Sequence, residues 1–386
     1  MSTDTILSPD LRADFPLLSR EFAPGQPLVY LDSAATALKP RSVIEAVADV
    51  LSHRTANVHR AVHLLGDEAT DLFEGARRKV ARLIGAEPHE IILLRNTTEA
   101  LNLVARCYPR KGRVLVSRGE HHSNLLPWHG ADLTLVPPGP DGGSDRQAIL
   151  RELARGGVSI VALALVSNVT GAQADLAGLV SAVHAAGAVV VMDGAQAVPH
   201  QPIDVQDLGC DFLAFSGHKM CGPSGVGVLY GRAERLEQLA WYLQGGGTVE
   251  EVASGIPKAK QAPWRFEAGT PAIEAVIGLG AAVDYLQAIG LDRVESHCRS
   301  LRAQARERLL RIPGVRILGD TGALPSLSGP LSFTVANTLS HMVARALSDA
   351  WGICVRSGYH CAQPLHEQLQ SPPSLRLSFY LYNQPW

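Results

Sequence analysis

The distribution of apolar and polar positions divides the chain into three stretches. The first thirty residues are loosely patterned, punctuated by Pro9, Pro16, Pro24 and Pro27, and read as an arm. Residues 28–32 suit a short strand, and the spacing of apolar residues over 41–53 and 67–85 predicts two helices. From about 90 to 230, short apolar runs alternate with helical ones. The runs 91–94, 114–117, 133–136, 158–165, 188–193, 212–216 and 227–230 predict seven strands, with helices such as 99–106 and 176–186 between them. The runs 158–165 and 188–192 are almost wholly apolar, as expected for strands covered on both faces. The alternation predicts an α/β fold with a mainly parallel seven-stranded sheet flanked by helices.

Residues 231–270 read as irregular, with Gly245-Gly246-Gly247 and 253–264 as mobile or functional loops. Helices are predicted over 272–288 and 292–311, and 312–386 mixes two strands, 331–335 and 353–356, with a helix at 339–350. The expected organisation is an arm, 1–27, belonging with the small domain, then a large α/β domain, 28–275, and a smaller C-terminal α+β domain, 276–386. No internal repeat or low-complexity segment interrupts it.

Composition narrows the class. The 386 residues are 46% hydrophobic and 19% charged, enough for a large core. A formal charge of −2, from 35 basic and 37 acidic residues, gives no electrostatic footprint for nucleic acid or an anionic membrane surface. No apolar run reaches the about 20 residues of a membrane-spanning helix. The segment from Met1 to Ile6 lacks a basic stretch followed by a long apolar one, so no secretory signal is expected. Six cysteines, none in a CxxC pair, argue against a disulfide framework and a finger-type zinc site, and a cytoplasmic location is expected.

In an open α/β sheet, chemistry gathers at the carboxyl ends of the strands. Thr97 and Thr98 follow the first predicted strand and could hold a phosphate at a helix start, although singly they read more simply as a helix cap. His121 and His122 follow the second; adjacent imidazoles rarely share one metal ion, so no metal site is expected, and stacking or proton transfer suits one of them better. Asp193 ends a buried apolar strand, where a carboxylate needs a cation or a helix to cap. Lys219, in Ser216-Gly217-His218-Lys219, is a candidate Schiff-base lysine. Together a phosphate anchor, a stacking imidazole, a carboxylate for a ring nitrogen and such a lysine suit pyridoxal phosphate. Near the C-terminus, Cys361 lies beside His360 and near Arg356, a setting that could favour the thiolate, and Arg376 could grip a substrate carboxylate.

These residues sit in recognisable motifs: Tyr30-Leu31-Asp32-Ser33-Ala34-Ala35, Val58-His59-Arg60, Thr97-Thr98-Glu99, Glu120-His121-His122, Ser167-Asn168-Val169, Asp193-Gly194-Ala195-Gln196, Ser216-Gly217-His218-Lys219, Arg265 to Pro271 and Arg356 to Pro364. In this order and spacing, the chain resembles the SUF-type cysteine desulfurases of the class V aminotransferase family, a branch that includes selenocysteine lyase. The resemblance implies the type I fold of pyridoxal-phosphate-dependent transferases, a homodimer, and conversion of L-cysteine to L-alanine, with L-selenocysteine as the alternative substrate. It implies Cys361, Lys219 and His121 as catalytic residues, the sulfur being held as a persulfide on Cys361 and passed to a SUF-type acceptor protein for iron–sulfur cluster assembly. It assigns Asp193 to the pyridinium nitrogen, Gln196 to the phenolic oxygen, and His121 to the ring face. Thr97, Thr98, Ser216 and His218 go to the phosphate, with Thr270 reaching it from the second subunit. Asn168 lies by cofactor and substrate, and Arg376, Arg356, His59 and Arg60 go to the substrate.

Three positions depart from that pattern: Ala61 and Asn96 stand where glycines are common, and Tyr359 stands where a second histidine is usual. The family usually continues past Trp386 into a terminal helix. Another class V carbon–sulfur lyase, a plain aminotransferase and a catalytically silent dimeric scaffold are the competing readings.

Overall fold

The structure is a computed structural model and describes residues 6–253, 255–322 and 328–385. Nearly all of the N-terminal segment read for a secretory signal lies outside the described residues. All seven expected strands form and join one sheet: β1 (Ile91–Leu94), β2 (Arg113–Ser117), β3 (Leu133–Val136), β4 (Val158–Ala164), β5 (Val189–Asp193), β6 (Phe212–Ser216) and β7 (Gly227–Gly231). Their order across the sheet is β1-β7-β6-β5-β4-β2-β3. β7 runs antiparallel to both neighbours and the remaining pairs are parallel. The mainly parallel sheet read from alternation is therefore present, and one strand reverses. β5, β6 and β7 are buried along their whole length, which is why they carry unbroken apolar runs.

Helices α1 (Arg41–His53), α2 (Leu64–Leu83) and α3 (Thr97–Cys107) are amphipathic, and each buries one stripe against the sheet or a neighbouring helix. The helix α4 (Ile273–Ile289), whose first turn spans the expected domain boundary, packs along α1 and α2 and is buried on nearly all sides. α5 (Leu291–Leu310) follows after a turn at Gly290.

The C-terminal part carries a four-stranded antiparallel sheet, β8 (Val315–Ile317), β9 (Leu331–Val335), β10 (Arg356–Gly358) and β11 (Ser374–Leu377), in the order β8-β9-β11-β10. α6 (Ser340–Trp351) and α7 (Gln363–Gln368) complete it. Two expectations need correction. The run 353–356 is two strands: Ile353–Cys354 pairs in parallel with Val29–Tyr30, while β10 joins the small sheet. The stretch 231–270 is more ordered than its composition suggests, with a short helix, Ala233–Gln238, and a hairpin of Val249–Ala253 with Ile256–Ala259. Solvent-exposed hairpin residues carry too little apolar patterning to register as strands. β8 and β11 are short and were not legible as apolar runs.

Candidate active site

A single cavity opens at the carboxyl ends of β1, β2, β4, β5 and β6 and is closed by the loop after β10. It is lined by Thr97, Thr98, His121, Asn168, Asp193, Gln196, Ser216, His218, Lys219, Arg356, Cys361 and Arg376, so most expected site residues converge. Ala34, Ala35, Asn96, Ser123 and His360 line it as well.

At the β1 end, neither threonine caps the helix. Asn96 does, accepting the Glu99 N–H on its side-chain oxygen at 3.0 Å. That frees Thr97 to share its hydroxyl with Ser216 at 2.6 Å and Thr98 to pair with Ser123 at 2.7 Å. The hydroxyls therefore ring the start of α3, where the helix dipole favours an anion. Gly227 lies against the Asn96 backbone, where any Cβ at 227 would come within 2.4 Å of the Asn96 Cα. Ala61 lies outside this cavity, packed on Gly66, where an added Cβ would sit 2.2 Å from the Ala61 Cβ.

At the floor, Asp193 accepts the Ala195 N–H at 2.9 Å. Burial raises its carboxyl, and the Ala195 N–H and the Lys219 charge draw it back. Desolvation lowers Lys219 to about 8 despite the pull of Asp193, with Arg376 and Arg356 adding to the lowering. An amine so poised is a nucleophile and a base near neutral pH. Lys39 buttresses this loop by donating to the His218 carbonyl at 3.1 Å. Burial and Lys219 lower His218 to about 4. Gln196 donates to the Ala34 carbonyl at 2.9 Å.

His121 is held neutral: burial, followed by Lys219, lowers it to about 3. Its Nδ1 accepts the Ser123 N–H at 3.0 Å, which leaves the proton on Nε2. Sequence reasoning assigned no role to its neighbour Glu120. That carboxyl is fully buried, is pushed up to about 7 by desolvation, and accepts from Asn124 Nδ2 at 2.8 Å and from the Ala164 N–H at 3.0 Å. It thereby ties the His121 turn to the end of β4.

On the opposite wall, Arg376 and Arg356 are direct cross-strand partners on β11 and β10. Like charges so placed repel unless an anion lies between them. Arg376 donates to the Asn168 carbonyl at 3.1 Å and to Asp32 Oδ1 at 3.3 Å, while its buried Nε has no partner. Burial lowers it to about 10 against the pull of Asp32. A substrate carboxylate would satisfy the orphaned Nε and the arginine pair together. Asp32 carried no assigned role in the sequence, although it ends a short apolar run as Asp193 does.

Cys361 is solvent-exposed at the cavity mouth. His360 and Cys361 have φ of 51° and 57°, two successive left-handed residues in a tight loop. The loop is pinned to the large sheet by its carbonyls: Asn168 Nδ2 donates to His360 O and the His122 N–H to Cys361 O, both at 2.7 Å. His360 adds no positive charge beside the thiol. Burial, with Arg376 next, lowers His360 to about 2, so the ring is neutral. Tyr359 is partly exposed, its ring edge-on to His366.

His59, Arg60 and Thr270 are not brought here by their own chain. They line a second cavity with Asn57, Lys260 and Trp264. A buried ion pair underlies it: Arg77 donates to Glu267 at 2.6 and 2.9 Å, and His59 meets Glu74 at 2.8 Å.

The residues of the first cavity fit pyridoxal phosphate: a lysine with a lowered pKa, a buried carboxylate opposite it, and a helix start ringed by hydroxyls.

Comparison with known proteins agrees with this chemistry. The aminotransferase class-V family matches residues 29–385. A cysteine desulfurase of Dickeya dadantii is 42% identical over 390 residues, covering 97% of this chain and 92% of the relative. The apo structure of a cysteine desulfurase from Thermococcus onnurineus superposes with a TM-score of 0.91 at 37% identity, over 98% of this chain and 94% of that one. The cysteine desulfurase CsdA of Escherichia coli, solved as an S-sulfonic acid, gives a TM-score of 0.88 at 40% identity, over 98% and 95% of the two chains.

Proposed function

The chain belongs to the class V aminotransferase family and is a pyridoxal-phosphate-dependent cysteine desulfurase, and from that premise we propose how its residues divide the work. Lys219, Asp193, Gln196, His121, Thr97, Thr98, Ser216 and His218 would hold the cofactor, with Thr270 of a second copy reaching the phosphate across a homodimer. Pyridoxal phosphate, when bound, supplies the electron sink for charge left at the substrate Cα.

L-Cysteine enters with its carboxylate between Arg376 and Arg356 and beside Asn168. This contact neutralises the arginine pair and orients the Cα. Lys219 Nζ removes and returns the Cα proton, a task matched to an amine lowered to about 8. His121, neutral with its proton on Nε2, would help to hold the cofactor and offer that proton to it. Cys361 attacks the substrate sulfur, the carbon–sulfur bond breaks, and the sulfur stays on Cys361 as a persulfide while alanine leaves. Holding sulfur covalently divides one transfer into two steps. The persulfide then passes to a SUF-type acceptor protein in the cytoplasm, for iron–sulfur cluster assembly. The observation that carries this reading is an exposed cysteine on a strained loop pinned over the lysine cavity.

The test is alanine release from L-cysteine by the cofactor-loaded wild type and by Cys361→Ala. Alanine from the wild type alone is expected, with selenium release from L-selenocysteine spared in the variant. Full cysteine activity in Cys361→Ala would sink the assignment.

A further inference from the structure

One buried polar chain in the small domain is not used by this mechanism. His366, Ser374 and His360 are 0%, 0% and 4% exposed, and each comes from a different element: α7, the start of β11, and the loop after β10. His366 Nδ1 lies 3.1 Å from the Ala362 carbonyl, His366 Nε2 lies 2.9 Å from Ser374 Oγ, and His360 Nε2 lies 3.1 Å from the same oxygen. His360 Nδ1 is buried without a partner, and His360 lines the active-site cavity.

The carbonyl fixes every proton in this chain. A carbonyl oxygen only accepts, so His366 must carry its proton on Nδ1. Burial keeps His366 neutral, which leaves a lone pair on Nε2. The Ser374 hydroxyl must then donate to that lone pair. Its oxygen accepts in turn from His360, which places the His360 proton on Nε2. The remaining atom, His360 Nδ1, is a bare lone pair at the residue preceding Cys361. A buried acceptor left open next to the nucleophile calls for a donor. With cofactor and substrate bound, Lys219 would answer to the cofactor, and Arg356 and Arg376 to the substrate carboxylate, which leaves the thiol of Cys361.

We propose that His360, Ser374 and His366 form a proton relay that takes up the thiol proton of Cys361 before its sulfur attacks the substrate. This rests on Cys361 being the sulfur acceptor. The S–H bond breaks with its electron pair kept on sulfur, and an N–H bond forms at His360 Nδ1. The Nε2 proton of His360 passes to Ser374 Oγ, and the original Ser374 proton passes to His366 Nε2. The hydroxyl is restored and His366 holds the net charge with both nitrogens protonated. No oxidant or reductant is needed, and the reverse shifts return the proton at the end of turnover.

The direction of transfer has an electrostatic cause. The charged and titratable groups facing His360 are Arg376 on β11, Arg356 on β10 and His366 on α7, and all three oppose a positive charge there. Burial opposes charge on His366 as well, but there the Ala362 carbonyl offsets part of that cost and no arginine adds to it. Burial is the largest opposition to charge on His360, and a substrate carboxylate between the two arginines offsets the part that they add. The relay is thus engaged when substrate is bound.

The experiment is single-turnover alanine release at saturating cysteine, across pH, with cofactor-loaded wild type, Ser374→Ala and His366→Gln. Glutamine keeps an acceptor for Ser374 but cannot store the proton. Both variants are expected to lose at least about tenfold in rate at neutral pH with an unchanged cysteine KM. The deficit should shrink as pH rises, because hydroxide then takes the thiol proton directly. Ser374→Ala removes one hydroxyl and carries the test should His366→Gln fail to fold. A wild-type rate in Ser374→Ala overturns the relay, as does a deficit that is equal at every pH and accompanied by a raised KM. A wild type that releases no alanine overturns the desulfurase assignment itself and the relay with it, so the two failures are distinct.

Discussion

The two cavities of this chain are built in opposite ways. The first draws on five strand ends of one sheet and on a loop of the small domain, and its donors and acceptors answer one another: Lys219 faces Asp193, and Arg376 faces Asp32. The second gathers His59, Arg60 and Thr270 on loops around a buried Arg77–Glu267 pair, with no cysteine among its lining residues. Residues of both cavities fall within the motifs that identify the family. A motif therefore marks a role in the reaction without saying which copy of the chain the role serves. Under the homodimer proposed above, the second cavity would complete the first cavity of another subunit.

The largest effect short of losing Cys361 or Lys219 is expected at Arg376. Arg376→Lys keeps the charge but loses the planar fork, and a charged hydrogen bond of about 1.5–3 kcal/mol corresponds to roughly 10- to 100-fold in kcat/KM. Steady-state kinetics with L-cysteine would measure it; an unchanged kcat/KM would remove Arg376 from the substrate carboxylate.

Thr270→Ala should cost about tenfold through one charged hydrogen bond. Its decisive measurement is subunit mixing. A dimer of one Thr270→Ala and one Lys219→Ala subunit holds one intact site if Thr270 acts across the interface. Co-expressed mixed dimers should then recover about half of wild-type activity. If Thr270 serves its own chain, mixing recovers nothing.

The smallest effect concerns pH. The Lys219 amine, lowered to about 8, is protonated and unreactive below that value and free above it. Loading of the apoenzyme with pyridoxal phosphate should accelerate between pH 7 and 9 and then level off. An ordinary lysine would keep accelerating beyond pH 10, and that profile would mean the cavity does not desolvate Lys219.

Much of this was legible in the chain. β1 and β6 fall on the apolar runs that announced them, because a strand covered on both faces must be apolar throughout, whereas β3, an edge strand with one buried residue, was found from its three apolar residues alone. The residues after each strand were identified as chemistry because strand ends are where an open sheet leaves polar groups room. The hairpin at Val249–Ala253 escaped notice because its residues face solvent. Thr97 and Thr98, which singly read as caps, are free to face the cavity because Asn96, one residue earlier, takes the cap. That His360 is neutral was not legible, because its neighbours in sequence say nothing of burial or of Arg376.

The one-dimensional pattern was sufficient for the order of the elements and the α/β class, and the motifs for the family and its kind of chemistry. These depend on near neighbours and on the periodicity of single elements. Folding settled the rest: that Arg356 stands opposite Arg376, that Asp32 reaches Arg376 across 344 positions, and that a backbone carbonyl at Ala362 dictates the protonation of His360 through Ser374. Charge state and hydrogen-bond direction follow from burial and from partners distant in the chain, and register and packing alone bring those partners together.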